Sequence, residues 1–234
     1  MNNQILLSKR LSEIASFVEP GLVLADIGTD HGFLPISLVQ SGQTPEAYAC
    51  DVRKGPLEQA QKNVAAAGLT GQIKVLLGDG FGALAPGDAE CAVIAGMGGP
   101  LICRILEEGK AVAETLSQIV LSPQSEPDTV RHYVYDRGMH IAREKMLVDM
   151  DKYYVVLDVR PGAGPMEKAC YFRYGRCLIK EKNTVLYEYL EKEADTLSGI
   201  REKLYGSGTE SALKRLAEID RIMTENREAA YEMR

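Results

Sequence analysis

The feature that most constrains the fold is an alternation of short apolar runs with helical segments over the first half of the chain. Five runs rich in apolar and β-branched residues have the length of strands: 22–27, 46–51, 72–77, 90–95 and 118–122. Three of the segments between them have proline near the first turn and are followed by a glycine that can end a helix: Gly42, Gly68 and Gly109. Strands that alternate with helices predict a parallel sheet with helices on both faces.

A hairpin completes the predicted sheet. Residues 140–162 contain two further strand patterns joined by a short turn around Asp151, too close together for a crossover helix. Such strands pair antiparallel. Five parallel strands followed by an antiparallel hairpin resemble the class I (Rossmann-like) methyltransferase sheet, and we predict an α/β fold of that class.

The last part of the chain carries a helical pattern. From about residue 182, apolar residues recur at near-heptad spacing in two segments separated by "GSGT" (206–209). The first segment contains Leu186, Leu190, Leu197, Ile200 and Leu204, and the second contains Leu213, Leu216, Ile219 and Met223. The pattern predicts an antiparallel, coiled-coil-like helical hairpin. Two helices packed flat on the main domain are the alternative.

Composition and cysteine usage narrow the function classes. A net charge of −6 argues against nucleic-acid binding through overall charge, although a local basic face remains compatible with it. The five cysteines are odd in number and form no CxxC pair, so neither a disulfide framework nor a zinc site is predicted. No stretch resembles a signal peptide or a membrane span. We therefore expect a cytoplasmic protein with no metal and no membrane partner.

The segment VLADIGTDHGFLP (23–35) indicates the ligand. It has the strand, glycine turn and helix of a nucleotide site, but Asp30 stands where the dinucleotide fingerprint G-x-G-x-x-G has its central glycine. A carboxylate at that position repels a pyrophosphate. S-adenosylmethionine has no phosphate, and its ammonium and sulfonium groups are positive, so the loop favours this cofactor over NAD or FAD.

Two more carboxylates follow predicted strands. Asp51 ends the second strand, where it can accept hydrogen bonds from both ribose hydroxyls of an adenosine group. Asp79 follows the third strand, where methyltransferases often hold the adenine amino group. The fourth strand leads into AGMGG (95–99), whose bare backbone allows a ligand to approach closely. The predicted cofactor-binding residues are Asp26, Gly28, Thr29, Asp30, His31, Leu34, Asp51, Val52, Asp79, Gly80, Ala95, Gly96 and Met97.

A set of motifs, taken together, resembles the bacterial TrmK family. The motifs span nearly the whole chain: "SKRL" (8–11), "ADIGTDHGFLP" (25–35), "GP" (55–56), "GDG" (78–80), "IAGMGGPLI" (94–102), "ILEEG" (105–109) and "KEKN" (180–183). The [DNS]-P-P-[YFW] motif of adenine-N6 methyltransferases is absent after the fourth strand. Two positions depart from the family: Asp51 stands where the family often has Glu, and Gln124 lies in "SPQS" where the family tends to read "QPN".

The resemblance implies methylation of N1 of adenosine 22 in tRNA with S-adenosylmethionine. It divides the chain into a catalytic domain, 1–163, and a connecting segment with a tRNA-binding hairpin, 164–234. Because the methylated ring is cationic, a nearby carboxylate would stabilise it or accept a proton from N6, and Asp30 is the candidate catalytic residue; helix capping is its alternative role. The substrate-binding candidates are Lys9, Arg10, Gly98, Gly99, Gln124, Arg201, Lys203, Lys214 and Arg215.

Three other functions fit the sequence less well. A methyltransferase acting on a small molecule or a protein fits the core but leaves the helical tail unexplained. A catalytically silent RNA-binding module is opposed by the intact carboxylates Asp26, Asp51 and Asp79. A nicotinamide dehydrogenase is disfavoured by Asp30.

Overall fold

A computed structural model describes residues 5–165, 168–206 and 209–234. The chain divides into two compact units, Met1–Gly164, called here the sheet unit, and Pro165–Arg234, called the helical unit. Which activity belongs to each unit remains a prediction.

The sheet unit is built on seven strands within the described residues. They are β1 (Leu24–Ile27), β2 (Ala47–Asp51), β3 (Ile73–Leu77), β4 (Cys91–Gly98), β5 (Gln118–Ser125), β6 (Met139–Asp149) and β7 (Lys152–Pro161). Their order is β3-β2-β1-β4-β5-β7-β6. The first five strands are parallel, whereas β7 pairs antiparallel with both β5 and β6. The predicted methyltransferase-type sheet with its terminal hairpin is confirmed.

Helices cover the sheet in two groups. They are α1 (Lys9–Phe17), α2 (Phe33–Gln40), α3 (Lys54–Ala66), α4 (Gly99–Glu108), α5 (Lys110–Ala113) and α6 (Pro127–Asp136). Helix α2 packs against α1 and α3, whereas α4 packs against α5 and α6. Ser8 caps α1 by accepting a hydrogen bond from the Leu11 amide at 3.2 Å. Strands covered on both faces need nearly continuous apolar sequence, and all four residues of β1 are buried.

The strand order reverses between β1 and β4. The chain runs outward from β1 to β3, then crosses back to β4 on the other side of β1. In open α/β sheets such a reversal leaves a crevice beyond the carboxyl ends of the two central strands, because the adjoining helices lie on opposite faces. The fold therefore places the loops after β1 and β4 at one ligand site.

The helical unit contains α7 (Ala169–Tyr174), α8 (Arg176–Lys180), α9 (Thr184–Tyr205) and α10 (Glu210–Glu232). Helices α9 and α10 are antiparallel: Asn226 Nδ2 donates to the Leu190 carbonyl at 3.0 Å, and Arg201 Nε lies 2.7 Å from Asp220 Oδ1 nearer the turn. The predicted hairpin is thus present, although residues 207 and 208 of its connection lie outside the described residues. None of the helices within the described ranges combines the length and hydrophobicity that a membrane span needs.

The prediction is wrong for one residue of the apolar seam between α9 and α10. Leu213 is 60% exposed, and Ala212 is buried in its place. Of the buried residues of α10, Ala212, Ile219 and Asn226 recur every seven positions, one residue out of phase with Leu213. A small alanine and a hydrogen-bonded asparagine carry too little apolar signal to show this phase in the sequence.

Candidate active site

A cleft of about 480 Å³ opens at the carboxyl ends of the parallel strands. This volume is within the range of about 300–1,000 Å³ typical of small-molecule sites. The cleft brings together nine of the predicted cofactor residues: Gly28, Asp30, Asp51, Val52, Asp79, Gly80, Ala95, Gly96 and Met97. Two of the predicted substrate residues, Arg10 and Gln124, also line it.

The turn after β1 is held against β2. The amides of Gly28 and Thr29 both donate to the Cys50 carbonyl at 2.8 Å. Gly28 has φ +80°, which favours glycine, and a Cβ there would lie 2.1 Å from the terminal methyl carbon of Met97. The turn after β1 therefore contacts the end of β4, and the absence of a side chain at Gly28 leaves room for the Met97 side chain.

Four of the predicted cofactor residues do not line the cleft. Thr29 and Leu34 are buried, at 1% and 4% exposure. The His31 ring lies against Phe33, with 5.6 Å between ring centroids, and its carbonyl accepts from Asn63 Nδ2 at 2.8 Å. Asp26 is buried within β1. These residues lie behind or beside the turn and support it.

Asp26 is a carboxylate in an unfavourable environment for its charge. Its burial raises the pKa to about 6, and the neighbouring Asp51 and Asp30 carboxylates add to the rise, while the Thr29 hydroxyl opposes it. A cation bound near these three acids would relieve their mutual repulsion and favour the ionised form of Asp26. The electrostatics around the turn after β1 therefore suit a positively charged ligand.

Asp51 and Asp79 face the other end of the cleft. Asp51 is only 4% exposed, and its Oδ1 accepts from the Arg53 amide at 2.7 Å and lies 3.4 Å from Arg53 Nε. Asp51 is also among the lining residues of the cleft, so its carboxylate can accept from a ligand there. Asp79 is flanked by Gly78 and Gly80, where a Cβ would meet Ala83 at 2.7 Å and Ile105 at 3.0 Å. The glycines let the Asp79 loop pack tightly against its neighbours.

Asp30 does not cap the following helix. The N-cap of α2 is Gly32, which has a left-handed backbone and no side-chain cap. Asp30 is exposed and its Oδ1 lies 3.3 Å from His31 Nε2. Its carboxylate is thus available at the cleft, where it is among the lining residues.

The β4 side of the cleft is irregular. Register shifts interrupt the pairing with β5 between Ala95 and Gly98, and Gly96 has φ +78°. A Cβ on Gly96 would lie 3.5 Å from Arg10 Nη1 and 3.7 Å from Gln124 Nε2, so α1, β4 and β5 meet there. Such bulges re-aim a chain next to functional sites.

Three other predicted substrate residues in the sheet unit have structural contacts. The Lys9 ammonium donates to the Val148 carbonyl at 2.8 Å. A Cβ at Gly98 would lie 3.2 Å from Ser125 Oγ, and one at Gly99 would lie 2.4 Å from the Glu126 carbonyl oxygen. The two glycines therefore fit the end of β4 against the loop after β5.

The four predicted tail cations lie on the helical unit. Three of them form ion pairs there: Arg201 with Asp220 at 2.7 Å, Lys214 with Glu210 at 2.8 Å and Arg215 with Glu218 at 2.6 Å. Lys203 is exposed in the last turn of α9. The cations are accessible, but most of their charge is balanced locally.

Sequence reasoning missed one wall of the cleft. Helix α4 contributes Leu101, Arg104 and Ile105, and the loop after β2 contributes Arg53. The three α4 residues have the i, i+3, i+4 spacing of one helix face. That spacing was visible in the sequence and could have assigned them to the site.

A second cavity, of about 230 Å³, contains none of the predicted site residues. Its polar groups already satisfy one another, since Glu107 accepts from the Tyr133 hydroxyl at 3.0 Å and pairs with Arg137 at 2.6 Å. Among the described residues no group of His, Cys, Asp and Glu side chains is arranged to hold a metal ion.

Comparisons with known proteins place the chain among methyltransferases. A methyltransferase-domain model matches residues 7–157. The tRNA (adenine(22)-N(1))-methyltransferase of Bacillus subtilis is 32% identical over 93% of this chain and 94% of its own length. A Streptococcus pneumoniae protein solved in complex with S-adenosyl-L-methionine is 36% identical, with a TM-score of 0.85 over 96% of this chain and 100% of its own. M. capricolum TrmK, solved with S-adenosyl-homocysteine, is 28% identical, with a TM-score of 0.85 over 98% and 100%.

Proposed function

We infer that the chain, which belongs to the TrmK family of bacterial tRNA methyltransferases, methylates N1 of adenosine 22 in tRNA with S-adenosylmethionine. The observation that carries this conclusion is the cleft lined by three carboxylates, Asp30, Asp51 and Asp79, around a glycine turn. The similarity to the B. subtilis enzyme covers 93% of the chain, helical tail included. That extent favours a tRNA substrate over a small molecule, a protein or a silent binding module.

The residues of the cleft fit the proposed cofactor. The Asp51 carboxylate would accept from the ribose hydroxyls, and Asp79 would accept from the adenine amino group. The Gly28–Asp30 turn, with Asp26 behind it, would receive the positively charged methionyl end. Each of these acids is matched to a donor or a cation, and Asp30 places a negative charge where a dinucleotide site would hold its pyrophosphate.

The chemistry asks the protein mainly for positioning. The bound cofactor supplies a methyl carbon attached to a positively charged sulfur. Adenine N1 donates its lone pair to that carbon, and the sulfur keeps the electrons of the broken C–S bond as a neutral thioether. The walls of the cleft then have to orient N1 and stabilise the positive charge that appears on the ring. We propose Asp30 for the second task, because its carboxylate is exposed at the cleft and is not used as a helix cap.

The target base has to leave its pairing partner. N1 lies on the Watson–Crick edge, so adenosine 22 must be unpaired or flipped out before it enters the cleft. We propose that the helical unit holds the tRNA, with Arg201, Lys203, Lys214 and Arg215 contacting phosphates. Because exposed ion pairs are weak, these cations can exchange their acidic partners for phosphate oxygens. We also propose a cytoplasmic location, which a tRNA substrate supports.

The test is methyl transfer from radiolabelled S-adenosylmethionine to tRNA transcripts, followed by nucleoside analysis. We expect 1-methyladenosine in a transcript with adenosine at position 22 and no product when that position is guanosine. Product in both transcripts would place the target elsewhere, and N6-methyladenosine would overturn the assigned chemistry.

A further inference from the structure

One guanidinium group and one side-chain amide converge beside the bulge in β4. Arg10 Nη1 and Gln124 Nε2 lie 3.5 and 3.7 Å from the position that a Cβ on Gly96 would take. Arg10 Nη1 is buried and has no hydrogen-bond partner within the described part of the chain. Buried donors without partners are rare in folded proteins and call for an explanation, such as a ligand. The slot beside Gly96 therefore offers hydrogen-bond donors to polar atoms of a substrate.

We propose that the Gln124 amide reads the N6–N7 edge of the target adenine. This inference rests on the proposed function, since it takes adenine as the substrate. A glutamine amide offers one acceptor and one donor side by side, which is the pattern that adenine presents in reverse at N6 and N7. Contact along that edge leaves N1 free to face the cofactor end of the cleft.

The same contact assists the reaction. As N1 acquires the methyl group, positive charge spreads over the ring to the N6 amino group. The Gln124 carbonyl oxygen accepts from N6–H, and this hydrogen bond strengthens as the donor becomes more positive. Loss of the amide should therefore lower kcat and not only raise KM for tRNA.

Arg10 has a different role beside the same slot. Its guanidinium lies over the Tyr154 ring, 5.1 Å from the centroid, and its backbone amide donates to Asp149 Oδ2 at 3.1 Å, so the side chain is anchored. A fixed cation would oppose the positive charge of the methylated ring if it contacted the base. It suits the phosphate of the flipped nucleotide, and base reading falls to Gln124.

A substrate-atom cycle tests the proposal. Full-length tRNA is prepared with adenosine or 7-deazaadenosine at position 22, which removes the N7 acceptor and leaves N1 and N6. For the wild-type protein, kcat/KM should fall about 5- to 150-fold with the deaza substrate. Gln124→Ala should lose more than this with adenosine, because it removes the N6 contact as well as the N7 contact, and should show no further loss with 7-deazaadenosine.

Two further variants sharpen the result. Gln124→Glu keeps the acceptor for N6–H but lacks the donor to N7, so it should also be insensitive to the deaza substitution and retain a higher kcat than Gln124→Ala. Gln59→Ala is the control, since it removes an exposed amide of α3 that does not line the cleft and donates to Asn63 Oδ1 at 3.0 Å. This variant should behave as wild type with both substrates. Calorimetry with S-adenosylhomocysteine should give the same affinity for every variant.

The outcomes separate the two claims. If the wild-type protein is indifferent to the deaza substitution, or if Gln124→Ala loses as much from it as the wild type does, Gln124 does not contact N7 and the inference fails while the proposed function stands. If the wild-type protein transfers no methyl group to tRNA with adenosine at position 22, the proposed function fails and the inference with it.

Discussion

At the scale of single residues, the most informative group is the buried carboxyl of Asp26. Its pKa rises from 3.8 to about 6 because burial disfavours the charged form. The native state therefore holds its proton more tightly than the unfolded state between these two values. The stability associated with protonated Asp26 is present below pH 3.8 and is lost as pH rises towards 6.

The first prediction follows from this sign. Asp26→Asn keeps the shape of the side chain and removes the titration. The ligand-free variant should therefore lack a fall in unfolding free energy of about 2 kcal/mol that the wild type shows between pH 4 and 6.5. Urea unfolding across this range, with both proteins free of ligand, measures the difference. Wild-type and variant curves that run parallel would show that Asp26 does not titrate there.

The second prediction concerns the ribose contact of Asp51. Asp51→Ala should weaken S-adenosylhomocysteine binding by about 1–3 kcal/mol, because two ribose hydroxyls lose a charged acceptor. Glu58→Ala, which removes a carboxylate from α3 outside the cleft, is the matched control and should bind normally. Isothermal calorimetry measures both affinities. If the two variants bind S-adenosylhomocysteine equally well, the ribose site does not include Asp51.

At the scale of elements, the turn after β1 and the end of β4 act together. The third prediction is that Gly28→Ala loses stability and cofactor affinity at once. The backbone at φ +80° is strained for alanine, at a cost of about 1–3 kcal/mol, and the new methyl group displaces the Met97 side chain towards the cleft. Gly87→Ala is the matched control, since Gly87 has φ +88° and no atom within 4 Å of the added Cβ.

Both variants should therefore be destabilised in urea by similar amounts, and only Gly28→Ala should bind S-adenosylhomocysteine poorly. If Gly87→Ala lost cofactor affinity to the same degree, strain alone would account for the effect. If Gly28→Ala bound normally, Met97 would have moved aside without entering the cofactor volume.

The same two elements show what the sequence could and could not predict. Strand periodicity and proline and glycine punctuation were enough to predict the parallel sheet, its terminal hairpin and the carboxylates at its edge. They ended the fourth and fifth strands too early, at 95 and 122, whereas β4 runs to Gly98 and β5 to Ser125. A glycine-rich segment that pairs through bulges has no β-branched signal, so the sequence does not predict the β4 extension as strand.

The cleft itself was predicted unevenly for a related reason. Residues that follow a strand directly, such as Asp51 and Asp79, could be placed by the strand pattern alone. The contribution of α4 depends on how that helix packs, which single-residue motifs do not reveal. The convergence of Arg10 and Gln124 on Gly96 joins Arg10 to positions more than 80 residues away, and the tertiary fold brings them together.

At the scale of the whole molecule, the question is what the helical unit does for the reaction. The overall charge of −6 means that any tRNA contact must come from local basic surface. Three of the four candidate cations already have acidic partners on that unit. Replacing them by acids would bring like charges together and could unfold the hairpin, so a test of RNA binding needs variants that change charge without introducing repulsion.

The last prediction uses the ion pairs as their own control. One variant neutralises the cations, with Arg201, Lys203, Lys214 and Arg215 all changed to Gln. A second variant neutralises their partners through Asp220→Asn, Glu210→Gln and Glu218→Gln. Both break the same three pairs, but the first removes positive charge and the second frees it.

If the helical unit binds phosphates, the first variant should raise KM for tRNA and reduce the slope of log affinity against log salt by up to about 4, one for each lost contact. The second should lower KM, because its cations no longer have to leave an acidic partner. Affinity for S-adenosylhomocysteine, measured by calorimetry, should be unchanged in both. Opposite changes of KM in the two variants can arise only from charge. An increase in both would mean that the ion pairs merely stabilise the hairpin. No change in either would show that these cations do not contact the tRNA.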